Sequence, residues 1–348
     1  MRILILGGTG LLGTAISNYL ASQDHDVVVF CRGQKQSRIS RKAESIYGHF
    51  ADDEKLTELF AERSFDAIVD LLTHDASSAQ RVVNLFQEKT KHYVFVSNAS
   101  VYGPLSSLPA DEGEMHEPVS IAAQGKSEAE EVFASAVETI DFPATILRPS
   151  IVFGPGKALL SIWGYDACLI SRLRETKPIL VAGDGYGLIQ PLYSSDLAQV
   201  VEMVLGKSSK TKGHIYNVAG AECVSWRDWF SLIGEALDCE PHLLSLTTEQ
   251  LIAGTPPDDS TLLEEQFQHH MFFDTSKIEK EIGIASSMTS LVDAIRETIA
   301  WNDGENAHLP PSQQPWVEAL VDRALDFEKD LALSDFAFDD EVFNQEPQ

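Results

Sequence analysis

Leu4-Ile5-Leu6-Gly7-Gly8-Thr9-Gly10-Leu11-Leu12-Gly13 decides the fold of this chain. Three glycines at G-x-x-G-x-x-G spacing follow an apolar strand, Met1 to Leu6, and precede a helix-like run, Thr14 to Ala21. In this pattern Gly7 allows a tight turn, Gly10 lets the backbone approach a pyrophosphate, and Gly13 lets the helix pack close to the strand. The helix N-terminus then faces the phosphates, so Gly7, Thr9, Gly10, Leu11, Leu12 and Gly13 are expected to hold a dinucleotide. The next strand, Val27 to Phe30, arrives at the distance a βαβ unit requires.

Downstream, the chain alternates strand-like and helix-like pieces. Ala67 to Leu72 is apolar, Ala79 to Glu88 amphipathic, Tyr93 to Ser97 apolar, Gly125 to Ala136 helical and Ala144 to Leu147 apolar. This syntax predicts an α/β fold with a doubly wound parallel sheet of Rossmann type. Beyond Arg148-Pro149 the pattern breaks into Gly- and Pro-punctuated segments such as Phe153-Gly154-Pro155-Gly156. The expected organisation is a dinucleotide-binding core over 1–150 with chain returns from later segments, a smaller C-terminal substrate-binding region over 151–302, and an acidic appendage over 303–348. In the appendage twelve acids stand against Arg323 and Lys329. Trp316, Leu320, Phe327 and Leu331 could share one helix face there, while Asp335 to Gln348 reads as disordered.

With 26 Lys plus Arg against 53 Asp plus Glu the net charge is −27, which opposes phosphate backbones and anionic membrane surfaces. Neither nucleic acid nor membrane is an expected partner. A small-molecule substrate is expected, with a homodimer left open. Cys31, Cys168, Cys223 and Cys239 are far apart and make neither a metal-ligand spacing nor a dense disulfide framework. The strand opening at Met1 leaves no room for a signal peptide, and no apolar run approaches about 20 residues, so a cytoplasmic protein is expected. His269-His270 would point to opposite faces of a strand, and no metal site is expected.

Taken with further motifs, the chain resembles the extended short-chain dehydrogenase/reductases, which include nucleotide-sugar epimerases and dehydratases. The resemblance covers roughly residues 1 to 302. It rests on the glycine loop, Tyr93-Val94-Phe95-Val96-Ser97, Ser100-Val101-Tyr102-Gly103-Pro104, Lys126 with Ala129-Glu130, and Leu147-Arg148-Pro149. Val152 to Gly156, Asp196-Leu197-Ala198, Tyr216-Asn217-Val218 and Asp274 to Gly283 continue it.

The resemblance implies a catalytic Tyr four residues before Lys126, and that position is Ala122. Alanine has no titratable group, so the family's usual proton transfer cannot run through it. The family's Ser or Thr falls at Asn98, whose amide can hydrogen-bond a substrate oxygen but cannot act as a hydroxyl shuttle. Lys126 and Asn98 are thus the candidate catalytic residues, with Lys126 also expected on the nicotinamide ribose and Leu71 and Leu72 on the cofactor.

After the second strand, Phe30-Cys31-Arg32-Gly33 offers a guanidinium where NAD-preferring sites place an acid. NADP is therefore expected, with NAD possible. Gly48-His49-Phe50-Ala51-Asp52 replaces the first Asp of the family's G-D-x-x-D stretch with His49. Candidate replacements for the missing acid are His116 and Glu117, and His74 and Asp75 after the fourth strand. Tyr165 and Gln190 lie in stretches that line the substrate region of relatives. These features imply an NADP-dependent enzyme of the epimerase, dehydratase or reductase type acting on a small polar metabolite. The alternatives are a non-catalytic dinucleotide-binding scaffold or regulator, as in the chloroplast stem-loop RNA-binding branch of this family, and a non-redox isomerase or lyase.

Overall fold

A computed structural model describes residues 1–33, 38–284, 288–305 and 315–333. Its centre is a seven-stranded parallel sheet. The strands are β1 (Arg2–Leu6), β2 (Asp26–Cys31), β3 (Glu44–Tyr47), β4 (Ala67–Asp70), β5 (Tyr93–Val96), β6 (Ala144–Pro149) and a late strand, Ile215–Val218. From one edge to the other they run Ile215–Val218, β6, β5, β4, β1, β2, β3. Parallel strands buried on both faces read as unbroken apolar runs, and Ile3 to Leu6 of β1 is buried throughout. Ile3 and Ile5 join one core with helix α1 (Leu11–Ser22) and helix Ser194–Gly206. Leu4 and Leu6 join the opposite core with α2 (Asp53–Phe60), α3 (Ala76–Phe86) and α4 (Ile121–Ile140).

The sequence reading left two elements unplaced. β3 is short and half polar, and α2 follows it with its N-terminus capped by Asp52, whose carboxylate accepts from the Lys55 amide at 3.0 Å. Boundaries also moved. α1 begins at Leu11 rather than Thr14, because Gly10 already takes the N-cap position. α4 begins at Ile121 behind the Ser120 cap, which carries Ala122 into its first turn. β4 ends at Asp70, so Leu71 and Leu72 belong to the turn beyond it.

A second core lies beyond the sheet. Phe153, Leu160, Trp226, Trp229 and Phe230 anchor it, supported by the parallel pair Ile179–Ala182 and Leu243–Leu246. Helix Pro315–Leu333 docks on this core through Leu320, Val321 and Ala324. Its face is not quite the expected one. Trp316 meets Trp163 edge-on at 5.0 Å, but Phe327 stands 53% exposed, because the buried stripe drifts to Val321 and Ala324. The Leu331 side chain and the run Asp335 to Gln348 lie outside the described residues.

Candidate functional site

Sheet order reverses between β1 and β4, and ligands of such sheets bind beyond the strand C-termini at that point. A cleft of about 680 Å³ opens there. Its floor is the glycine loop: Gly7, Thr9, Gly10, Leu11, Leu12 and Gly13 all line it. The three glycines do different work. Gly7 sits at φ +98°, where a side chain would be strained. A Cβ on Gly13 would come within 2.2 Å of the Gly7 carbonyl oxygen and 2.6 Å of Gly8 Cα, so only hydrogen lets helix and loop meet. A Cβ on Gly10 would touch nothing within 4 Å, because that side of the loop faces the open cleft. No side chain caps α1 at Gly10, so its first-turn amides are left for an anion. These features fit a dinucleotide pyrophosphate.

At the β2 end, Arg32 lines the cleft beside Gly48, His49, Phe50 and Ala51. Asp52 serves as the α2 cap, and the His49 ring accepts from the Ala51 amide at 3.3 Å. On the opposite wall Asp70, fully buried, pins the turn after β4. Its carboxylate accepts from the amides of Leu72 and Thr73 at 2.8 and 3.0 Å and from the Tyr93 hydroxyl at 2.6 Å. This turn brings Leu71, Leu72 and His74 to the cleft. Nδ1 of His74 lies 3.1 Å from the Leu72 carbonyl oxygen, which can only accept, so the ring proton sits on Nδ1. Nε2 faces the Asp75 carboxylate at 3.5 Å. The His74 carbonyl oxygen would stand 2.2 Å from a Cβ on Gly125, which ties this turn to α4 one residue before Lys126.

Lys126 lies behind the cleft wall and does not line it. Its Nζ donates to the Val96 carbonyl at 2.9 Å and sits 4.6 Å from the Phe95 ring centre. Burial pulls its pKa down to about 8, against the opposing pull of Asp70 and Glu130. Ala122, one turn earlier on α4, is exposed. Asn98 lines the cleft and uses its Oδ1 to accept from the Ser100 amide at 2.8 Å, which caps a short 3-10 turn.

Tyr165 also reaches the cleft. Its hydroxyl donates to the Val152 carbonyl at 2.6 Å, Lys157 Nζ lies 3.9 Å from its ring centre, and burial pushes its pKa up to about 12. Gln190 is elsewhere: its buried amide donates to the Gly220 carbonyl and accepts from the Phe273 amide, at 2.8 and 2.9 Å, and bridges loops. His116 is half-buried against Ser127 at 2.7 Å, and Glu117 is exposed; neither lines the cleft. His269 and His270 lie on a bend after a π-helical turn, Leu263–Phe267, not on a strand.

Sequence reasoning passed over Ser97, Ser150 and Ile151, which also line the cleft. Ser97 directly precedes Asn98, and Ser150 directly follows Arg148-Pro149, so adjacency to quoted motifs was the available signal. The Ser97 hydroxyl donates to Glu130 at 2.5 Å, and Arg148 grips both oxygens of the same carboxylate. Arg148 also donates to the Tyr102 hydroxyl at 2.8 Å, which donates onward to Asn217 at 2.6 Å. This buried network fastens β5, α4, β6 and the strand Ile215–Val218 around the inner end of the cleft.

The sheet order, the glycine loop and the cleft define a dinucleotide-binding α/β protein. The model of the NAD dependent epimerase/dehydratase family matches residues 3–219, and the chain belongs to that family. It is 23% identical over 280 residues to 2'-dehydrokanamycin reductase of Streptomyces kanamyceticus, covering 80% of this chain and 78% of that protein. The chloroplast stem-loop binding protein of 41 kDa b of Arabidopsis thaliana is 26% identical over 238 residues, 65% of this chain and 60% of that protein. Among solved structures, the Bacillus anthracis dTDP-glucose 4,6-dehydratase in complex with NAD superimposes with a TM-score of 0.72 at 18% identity, over 88% of this chain and 98% of that one. Among the described residues no helix is long and apolar enough to cross a membrane.

Proposed function

We propose that the chain is a nicotinamide-dinucleotide-dependent enzyme, favouring NADP, that acts on a small polar carbonyl or alcohol. One observation carries this reading: a single cleft runs from Arg32, over the open side of Gly10, to Asn98 and His74. A bound nicotinamide supplies or accepts the hydride. The α1 amides would hold its pyrophosphate, and Arg32 would offer its guanidinium to a ribose phosphate. Leu71 and Leu72 pack against the cofactor, and Asn98 orients the substrate oxygen.

The proton needs another donor because Ala122 has none. Among the described residues two imidazoles line the cleft: His49 stands at the β2 end, and His74 stands in the turn after β4 beside Asp75 and is the candidate donor. For reduction of a carbonyl, the substrate oxygen would take the Nε2 proton of a doubly protonated His74 ring, whose Nδ1–H stays on the Leu72 carbonyl, and solvent would return a proton to Nε2. Lys126 holds the Val96 carbonyl and hence the end of β5 beside the reacting centre. The similarity to 2'-dehydrokanamycin reductase supports a reductase of a polar ring ketone.

Ala122 and Asn98 favour a second reading, a dinucleotide-binding scaffold without redox chemistry. Calorimetry with NADP and NAD, followed by NADPH oxidation against a panel of keto-sugars, tests both. Binding with turnover supports the enzyme, binding without turnover across the panel supports the scaffold, and no binding of either cofactor defeats both.

A further inference from the structure

The chain that leaves strand Val152–Phe153 turns back over the first residue of α1. Several contacts fix this turn. A Cβ on Gly154, at φ +145°, would stand 2.3 Å from Ser194 Oγ, so the turn starts pressed against helix Ser194–Gly206. The Lys157 amide donates to the Gly154 carbonyl at 3.3 Å and closes it. Arg38 donates from Nη1 to the Gly156 carbonyl at 3.3 Å, and its guanidinium lies 5.6 Å from the Trp301 ring centre. At Gly156, where φ is +121°, a Cβ would come within 3.5 Å of Leu11 Cδ1 and 3.8 Å of Leu11 Cα. Lys157, the next residue, is thereby set beside the N-terminus of α1, which no side chain caps.

The same turn delivers an ammonium to the cleft. Lys157 and Tyr165 both line it, and Lys157 Nζ rests 3.9 Å from the Tyr165 ring centre. The Tyr165 hydroxyl, donating to the Val152 carbonyl at 2.6 Å, fixes that ring. An aromatic face attracts a cation through its quadrupole, so the ring holds the ammonium at the cleft wall. The charge of the lining is one-sided. The chain carries 53 Asp plus Glu, yet among the described residues no Asp or Glu lines the cleft, and its Lys and Arg are Lys157 and Arg32. A wall with cations and without carboxylates selects a polyanion. Arg32 serves the β2 end of the cleft, and Lys157 serves the α1 end, where a pyrophosphate meets the uncapped amides.

We propose that Lys157 is a cofactor-binding residue whose ammonium meets the dinucleotide pyrophosphate from the turn after Val152–Phe153 while the first-turn amides of α1 meet it from the glycine loop. The inference rests on the cofactor reading above. It separates the two cations by ligand: Arg32 reads the ribose phosphate that NADP alone carries, and Lys157 reads the pyrophosphate common to NAD and NADP.

The test is calorimetry on the full chain and on Lys157→Met with NAD, NADP and ADP-ribose, the last carrying the pyrophosphate without the nicotinamide. Lys157 is exposed, so the substitution opens no cavity, and methionine keeps an aliphatic stem on Tyr165 while removing the charge. All three ligands should lose at least about tenfold in affinity, by the same factor within about threefold, and Lys157→Arg should keep most of the wild-type affinity. Thermal melts check that both variants fold. Unchanged affinity in Lys157→Met, a loss confined to NADP, ADP-ribose left at wild-type affinity while NAD and NADP weaken, or a loss in Lys157→Arg equal to that in Lys157→Met would overturn the proposal. Failure of the wild type to bind any of the three would instead overturn the cofactor reading, and this proposal with it.

Discussion

Gly10 and Gly13 are three residues apart in one loop, yet their substitutions should fail in opposite ways. At Gly10 the backbone is extended, with φ −83° and ψ −175°, and a new Cβ meets nothing within 4 Å. Gly10→Val should therefore fold. It loses a favourable N-cap, costing about 1 kcal/mol, and regains part of that by stiffening the unfolded chain. The melting temperature should fall by no more than about 4 °C. The new side chain occupies the open side of the loop, where a pyrophosphate would approach. Losing two amide bonds to a charged phosphate, at about 1.5–3 kcal/mol each, costs about 3–6 kcal/mol. That is a loss of cofactor affinity of at least about 100-fold.

Gly13→Ala adds one methyl, but it lands 2.2 Å from the Gly7 carbonyl oxygen and 2.6 Å from Gly8 Cα. Those are backbone atoms of the turn itself, so helix and strand must separate, at about 3 kcal/mol or more. Calorimetry with NADP and thermal melts of both variants separate the two effects. The reasoning is refuted if Gly10→Val binds NADP like the wild type, or if Gly13→Ala melts with the wild type.

Other expectations follow from the same geometry. Arg32→Ala should weaken NADP by about tenfold or more and leave NAD nearly unchanged, and equal losses in calorimetry would make Arg32 a solvated loop charge. Standard UDP-sugars should not be epimerised by the purified protein, since Ala122 offers no proton donor, and efficient product formation by chromatography would contradict this. Removing residues 306–348 strips Leu320, Val321 and Ala324 from the second core and should cost about 3–6 kcal/mol of stability, while NADP affinity stays; loss of binding in a folded truncation would place the tail in the site. The pKa of Lys126 falls from an ordinary 10.5 to about 8 on folding, so the folded state binds fewer protons between those values and stability rises with pH across them. Relative to Lys126→Met, the wild type should gain stability from about pH 8 to 10.5 in denaturant titrations, and a flat difference would show that Lys126 is not desolvated.

The glycine-loop wall of the cleft was legible because it is local. A glycine loop between a buried strand and a helix carries its geometry in ten consecutive residues, and Arg32 directly follows the next strand along. Gln190 shows where such reading stops. Its stretch looked like pocket lining, but both ends of its amide are taken by Gly220 and Phe273, partners 30 and 83 residues away. Lys157 was hidden for the same reason. Its place beside Leu11 depends on where Ser194 and Arg38 set the turn after Val152–Phe153, and no local pattern encodes that placement. The appended helix was readable as amphipathic, but its buried face shifted from Phe327 to Val321 and Ala324 because Gly254 leaves the hollow that Leu320 enters.

Alanine at position 122 bears on how Lys126 is read. A lysine that stays half-buried, with its pKa drawn down to about 8, is an expense to the fold at neutral pH, and neither Asp70 nor Glu130 reverses it. Its ammonium is directed to the Val96 carbonyl, the last residue of β5, and the next two residues, Ser97 and Asn98, enter the cleft. Ser97 is held from the other side by Glu130, itself gripped by Arg148. Lys126 and Arg148 thus act as two posts around a short stretch of backbone that carries two cleft-facing polar side chains. With alanine at 122, the Lys126 ammonium has no hydroxyl one turn before it, and its contact with the Val96 carbonyl holds the stretch that carries Ser97 and Asn98 into the cleft.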